Sequence, residues 1–197
     1  MASIRIGYFL EDIAHQEFLQ TLVERLVAAA AHGPIEVQTD IRNATGGKGQ
    51  VFEDLRKFLR DAARERQRRF DLVIVAIDGN CHGYIEVRNQ ILTKAQQARY
   101  PGSVVCAVPN PHIERWYLAD PAAVRHALGV DQVPALPRYK CERARYKNAL
   151  RTALQRAGVI APLGGAEYGQ DIARVLDVFK LSAAAKVIGE RYQKEVG

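Results

Sequence analysis

Glu11, Asp78 and Asn80 each follow closely on an apolar run, and oxygen-bearing side chains delivered in that way can gather a divalent cation. Glu11-Asp12 ends the β-branched and aromatic stretch Ile4 to Leu10, while Asp78-Gly79-Asn80 ends the continuous apolar run Leu72 to Ile77. If the two runs are neighbouring strands, Glu11 and Asp78 repel one another. A hard cation such as Mg²⁺ or Mn²⁺ relieves that repulsion, polarises a phosphodiester and helps to generate hydroxide. The same acids also suit turns and caps, and Asp12 ahead of an alanine-rich helix reads equally as a plain N-cap.

Other groups can complete or serve such a site. Pro109 to Asp120 forms a proline-rich turn after a strand, and Glu114 or Asp120 there can supply a further carboxylate, although Pro121 makes Asp120 an equally good N-cap. Trp116 suits either base stacking or the core. Gly46-Gly47-Lys48-Gly49 fails as a nucleotide-binding phosphate loop, since Arg42 stands at the first glycine position and Gly49 replaces the Ser or Thr. Lys48 can still meet a backbone phosphate at a helix start. Lys140, Arg143, Lys147 and Arg151 recur at steps of three and four, which predicts a basic helix over about 140–157 with one face suited to a nucleic-acid backbone. His15, His82 and His112 fall near the same edge without the i, i+4 spacing of a helical zinc pair; they read as polar loop residues, or as a general acid for His82 or His112.

The elements that position these residues alternate. Ile4–Leu10, Ile35–Ile41, Leu72–Ile77 and Val104–Val108 read as strands. Between them, helical spacing runs through Phe18–Val27, Val51–Ala62 and about 84–98. Alternation of this kind predicts right-handed crossovers and a doubly wound α/β fold with a mostly parallel four-stranded sheet flanked by helices. A strand order 2-1-3-4 would set Glu11 beside Asp78 at the carboxyl edge, where such sheets do their work. After Pro111 the pattern turns helical, giving an expected division into an α/β core over 1–110 and a helical extension over 111–197 packed on it.

Charge and cysteine content bound the setting. The 197 residues carry a net charge of +6, which suits a polyanionic partner. The three cysteines, Cys81, Cys106 and Cys141, are widely spaced and show neither ligand spacing nor a disulfide framework, so a reducing, cytoplasmic setting is expected. No apolar run approaches the roughly 20 residues needed to span a bilayer, so no membrane partner is expected. Self-association stays open.

A strand ending in Glu, then a helix, then a later strand ending in an Asp-x-Asp-like turn is similar to the Toprim domain of topoisomerases, primases, old-type nucleases and small ribonucleases. The chain resembles more closely the Toprim-like proteins of the domain of unknown function 4276 family. The residues that carry this likeness are Phe9–His15, Asn43–Gly49, Val75–Tyr84, Pro109–Asp120, Lys140–Arg143 and Gly164–Tyr168, which together span nearly the whole chain. The resemblance implies a metal ligand or general base at Glu11 and a metal ligand at Asp78. It also implies an ATPase partner in a bacterial defence module. Asn80 departs from the wider Toprim pattern, in which an Asp stands there; an amide oxygen can ligate but brings no charge. The function expected is a metal-dependent nuclease in which Glu11 and Asp78 hold Mg²⁺ and Asn80 and Glu114 complete its shell, with Glu11→Ala and Asp78→Ala folded but inactive. The alternative is a non-catalytic subunit that binds an ATPase partner or nucleic acid.

Overall fold

The computed structural model describes residues 2–46, 48–65, 69–133, 135–142 and 144–182. Strands β1 (Ala2–Leu10), β2 (Ile35–Asn43), β3 (Leu72–Ala76) and β4 (Val104–Ala107) form one sheet in the order β2-β1-β3-β4, with every pair parallel. The crossovers carry helices α1 (Ile13–Ala30), α2 (Lys48–Arg64) and α3 (Tyr84–Gln97). The fold is therefore α/β and Rossmann-like, with the expected strand order.

Period-two alternation splits the two central strands cleanly between two cores. Ile6, Tyr8 and Leu10 of β1 and Ile74 and Ala76 of β3 face α1 and the helices that follow β4. Phe9, Val73, Val75 and Ile77 face α2 and α3, joining Leu55, Leu59 and Ile91. Both strands are buried on both sides, which explains their near-continuous apolar sequence. Gly7 sits within β1 because a Cβ there would lie 2.8 Å from the Phe70 ring.

Beyond β4 the chain forms α4 (Glu114–Tyr117), α5 (Pro121–Leu128), α6 (Arg145–Arg156), a 3-10 turn (Ala166–Tyr168) and α7 (Gly169–Val175). Their apolar faces, through Tyr117, Val124, Leu150 and Ile172, share the core of α1 and the sheet. Tyr117 is fully buried and donates its hydroxyl proton to the Ala14 carbonyl oxygen at 2.7 Å. Gly169 makes room for it, since a Cβ would fall 2.2 Å from the Tyr117 hydroxyl.

Asp120 serves this C-terminal packing. It caps α5 by accepting from the Ala122 N–H at 3.0 Å, with Pro121 in the first turn. It also accepts from the Asp177 N–H at 3.1 Å and from Lys180 at 2.8 Å. The side chain is thus committed to the cap and to the segment after α7. Asp120→Ala should cost about 2–3 kcal/mol in urea unfolding, from a lost cap and a lost buried acceptor. Asp120→Asn keeps one acceptor oxygen for the cap but loses the lysine ion pair and the bond from the Asp177 N–H, so it should cost less, about 1–2 kcal/mol. Equal midpoints for both variants and the wild type would contradict this account.

Two expectations need correction. The basic helix begins at Arg145 rather than near 140, so Lys140 precedes it, and Arg143 lies outside the described residues. Ahead of the helix Glu142 engages both Lys140 and Arg145. The expectation of no disulfide also fails. Cys81 and Cys141 are bonded across 60 residues, and Cys106 alone is a free thiol. Folding brings the loop after β3 against the segment before α6, a contact that sequence spacing does not reveal. Among the described residues no helix is long and apolar enough to cross a membrane.

Candidate metal centre

Parallel pairing of β1 with β3 sets Leu10 beside Ala76, so the next residues of both strands emerge together at the carboxyl edge of the sheet. The Glu11 N–H donates to the Ala76 carbonyl at 2.9 Å, which carries the pairing one residue past the strand. Glu11 Oε2 then accepts from the Asp78 N–H at 2.7 Å. The two acids expected to meet do meet, at the point where strand order reverses.

Asp78 is 8% exposed and fully engaged. Its Oδ1 accepts from the Ile113 N–H at 3.0 Å and lies 3.1 Å from His15 Nε2; its Oδ2 lies 2.9 Å from His112 Nδ1. The loops that carry these groups are laced together, with the Gly79 and Asn80 N–H groups donating to the carbonyls of Pro109 and Pro111. Asn80 and Cys81 hold φ of 44° and 72°, a left-handed pair that non-glycine residues adopt at a cost and that turns the loop sharply away after Asp78. The Asn80 side-chain amide donates back to the Asp78 carbonyl at 3.3 Å.

His15 lies in the first turn of α1, whose N-cap is Asp12. It is fully buried, with Nδ1 2.8 Å from Asp12 Oδ1 and Nε2 3.1 Å from Asp78 Oδ1. Carboxylate oxygens at both ring nitrogens require two N–H donors, so the ring is an imidazolium. Burial alone would lower its pKa, but the Asp78 charge and the hydrogen bond to Asp12 outweigh it and push it up to about 10. Burial raises Asp12 and Asp78 as well, yet His15 draws Asp12 down to about 2. It also holds Asp78, with help from His112, below the usual carboxylate range. Glu11 goes the other way, raised by burial and then by the Asp78 charge.

The sign of the linkage gives a test. The folded protein binds the His15 proton more tightly than an unfolded chain, whose His titrates near 6.5, so this contribution is complete below that pH and drains away as pH rises toward about 10. The urea midpoint of chelator-treated wild type should fall from pH 7 to pH 10 more steeply than that of His15→Gln. Parallel profiles would mean that His15 is neutral in the fold.

Glu11, His15 and Asp78 each offer a ligand atom within 4.8 Å of the others, and they are the group of this kind among the described residues. These donors fit a divalent cation. Glu11 is destabilised as a bare anion, the condition that a cation relieves, and its Oε2 is the oxygen held by the Asp78 N–H. Two carboxylates alone suit Mg²⁺; recruiting the His15 nitrogen would require loss of its proton and shift preference toward Mn²⁺ or another first-row ion.

The remaining candidates divide. Glu114 stands outside that group, half-buried, with Oε1 3.5 Å from Lys147 Nζ and Oε2 buried without a hydrogen-bond partner. Burial raises its pKa, and Lys147 lowers it in part. Lys147 therefore reaches back from α6 to the acids, and its charge also acts on Asp12. Arg151 follows one turn later on the exposed side of α6, 3.5 Å from Asn148 Oδ1. Lys140 is tied to Glu142. Lys48 opens α2, whose start is braced by Thr45 donating its hydroxyl and N–H to Asp54. His82 pairs with Glu86. Trp116 packs partly buried on the core, 6.5 Å from Phe18.

His15 and His112, read from the sequence as polar loop residues near this edge or, for His112, as a general acid, are instead the partners that hold Asp78. A signal existed for His15: three residues past an N-cap Asp and four past Glu11, it must face the same end of the helix. Comparison with known protein families, with curated proteins and with solved structures finds no match.

Proposed function

We propose that the protein is a metal-dependent nuclease that hydrolyses nucleic-acid phosphodiesters at the Glu11–Asp78 edge. The observation that carries this reading is the convergence of two carboxylates, 67 residues apart, at the reversal point of a parallel sheet, with the Asp78 N–H bound to Glu11 Oε2. The Toprim resemblance points to the same pair. Glu11 and Asp78 would hold Mg²⁺ or Mn²⁺, which when bound supplies a Lewis acid for the phosphodiester and a source of hydroxide. His15 and His112 keep Asp78 ionised and oriented, so its charge is in place without rearrangement. Lys147, beside Glu114 at the near end of α6, would meet a phosphate of the incoming strand, with Arg151 extending the basic edge.

The test is direct. Purified protein is incubated with single- and double-stranded DNA and RNA in Mg²⁺, Mn²⁺ or EDTA, and strand scission is followed. Cleavage dependent on the metal is the expected result.

One observation favours a second reading. Both Asp78 oxygens already hold protein donors, and Asn80 brings no charge, an arrangement that also suits a non-catalytic subunit docking an ATPase partner or nucleic acid. On that reading no nucleic acid is cut in any metal, and binding is indifferent to EDTA.

A further inference from the structure

The sheet edge divides the surroundings of Glu11 and Asp78 into two unlike sides. Lys147 approaches from the α1 face of the sheet, through α6 and Glu114. On the opposite face a cavity of about 200 Å³ touches Glu11, Asp78 and Asn80 and is closed by Phe52 of α2 and Gln90 of α3. The same Phe52 and Gln90 also border a wider groove of about 500 Å³ that runs outward between α2 and α3 past Asn89, Thr93 and Gln97. The two hollows share Phe52 and Gln90, so the groove adjoins the hollow beside the acids.

Its chemistry is neutral. Lys94, the lysine among the described lining residues, lies 2.6 Å from Glu53 Oε1, and Arg56 takes the other Glu53 oxygen at 2.9 Å. Glu86 is engaged by His82 at 3.2 Å and by the Gln90 amide. What remains for a ligand is a half-buried aromatic ring flanked by side-chain amides and a hydroxyl. A phosphate gains little there, whereas a planar ring with hydrogen-bonding edges gains stacking on Phe52 and donors and acceptors from Gln90 and Asn89.

We infer that the α2–α3 groove binds a nucleobase of an unpaired strand, next to the phosphate that a cation at Glu11 and Asp78 would hold, while Lys147 and Arg151 take the backbone on the other side. This assignment rests on the nuclease reading and narrows it: a base can enter the groove only from a single strand or after leaving a duplex. The substrate class is thus single-stranded or locally opened nucleic acid.

Fluorescence anisotropy in Ca²⁺ tests it, with a labelled single-stranded oligonucleotide and the same backbone carrying abasic sites. Wild type should bind the base-bearing strand about tenfold more tightly. Phe52→Ala should abolish that preference, Phe52→Tyr should keep it, and Gln90→Ala should reduce it. The glutamine variant leaves the apolar core intact and guards against misfolding of Phe52→Ala. Lys147→Ala should weaken both strands alike. Equal binding of the two strands by wild type overturns the groove assignment, as does an equal loss for both strands in Phe52→Ala and Gln90→Ala. If metal-dependent cleavage persists alongside equal binding, only the groove is wrong. If neither cleavage nor strand binding is found, the nuclease reading fails and the groove assignment falls with it.

Discussion

Glu11→Gln and Asp78→Asn should each lower metal-dependent cleavage on the order of 10³-fold while leaving the fold intact. The isosteric changes matter because the structure separates two duties that alanine would confuse. In Glu11→Gln the new amide oxygen can still accept from the Asp78 N–H. In Asp78→Asn the remaining carbonyl oxygen can still accept from the Ile113 N–H, so the loops stay laced. Both variants remove a negative charge at the place where a cation would sit. Asp78→Ala differs in kind, because it leaves the Ile113 N–H and the fully buried His15 Nε2 without their shared acceptor oxygen. Stranding a buried donor costs about 1–3 kcal/mol, so the alanine variant should be visibly destabilised rather than folded and inactive. Glu11→Ala, whose partner is a single N–H, should fold. Calorimetric titration of Mn²⁺ into each variant provides an independent readout, with a loss of affinity greater than about tenfold expected. Unchanged cleavage and unchanged titration in both isosteric variants would remove the metal centre from consideration.

Reduction of the Cys81–Cys141 bond has the second large expected effect. The bond closes a loop across 60 residues, and chain-entropy arguments assign such a crosslink about 4 kcal/mol. A domain of this size has a net stability of only about 5–15 kcal/mol, so the loss is severe. Thermal unfolding in dithiothreitol, or of Cys81→Ser, should begin roughly 10 °C below the oxidised wild type. The effect should also be local. Cys81 follows Asn80 in the left-handed turn after Asp78, and Cys141 lies between Lys140 and Glu142, so the bond pins the basic segment beside the candidate site. Limited proteolysis near 135–142 should accelerate on reduction. Denatured, unreduced protein should titrate one thiol, Cys106, and reduced protein three. Three thiols without reductant, or coincident melts in both states, would contradict the bond.

Much of this was readable in the linear chain, for identifiable reasons. Strand and helix periodicity are local, so the runs ending at Leu10 and Ile77 and the helices between them announced a parallel α/β sheet. From a 2-1-3-4 order the meeting of Glu11 and Asp78 follows directly, because parallel strands deliver successive termini to one edge. The cap at Asp120 was also legible as an alternative, since Asp-Pro is a local helix-start signal.

What the amino-acid order determined by itself was the set of elements, their sequence and the end of the sheet where acids accumulate. The tertiary structure alone decided which side chains complete that edge. His15 and His112 reach Asp78 across 63 and 34 residues, and Cys81 finds Cys141 across 60. It also broke up the basic stripe, because Lys140, tied to Glu142, precedes the helix that Arg145 opens. The physical reason is common to all of these. Periodicity and capping depend on neighbours a few bonds away, whereas pairing among side chains depends on loop paths and burial that are set only when the whole chain packs.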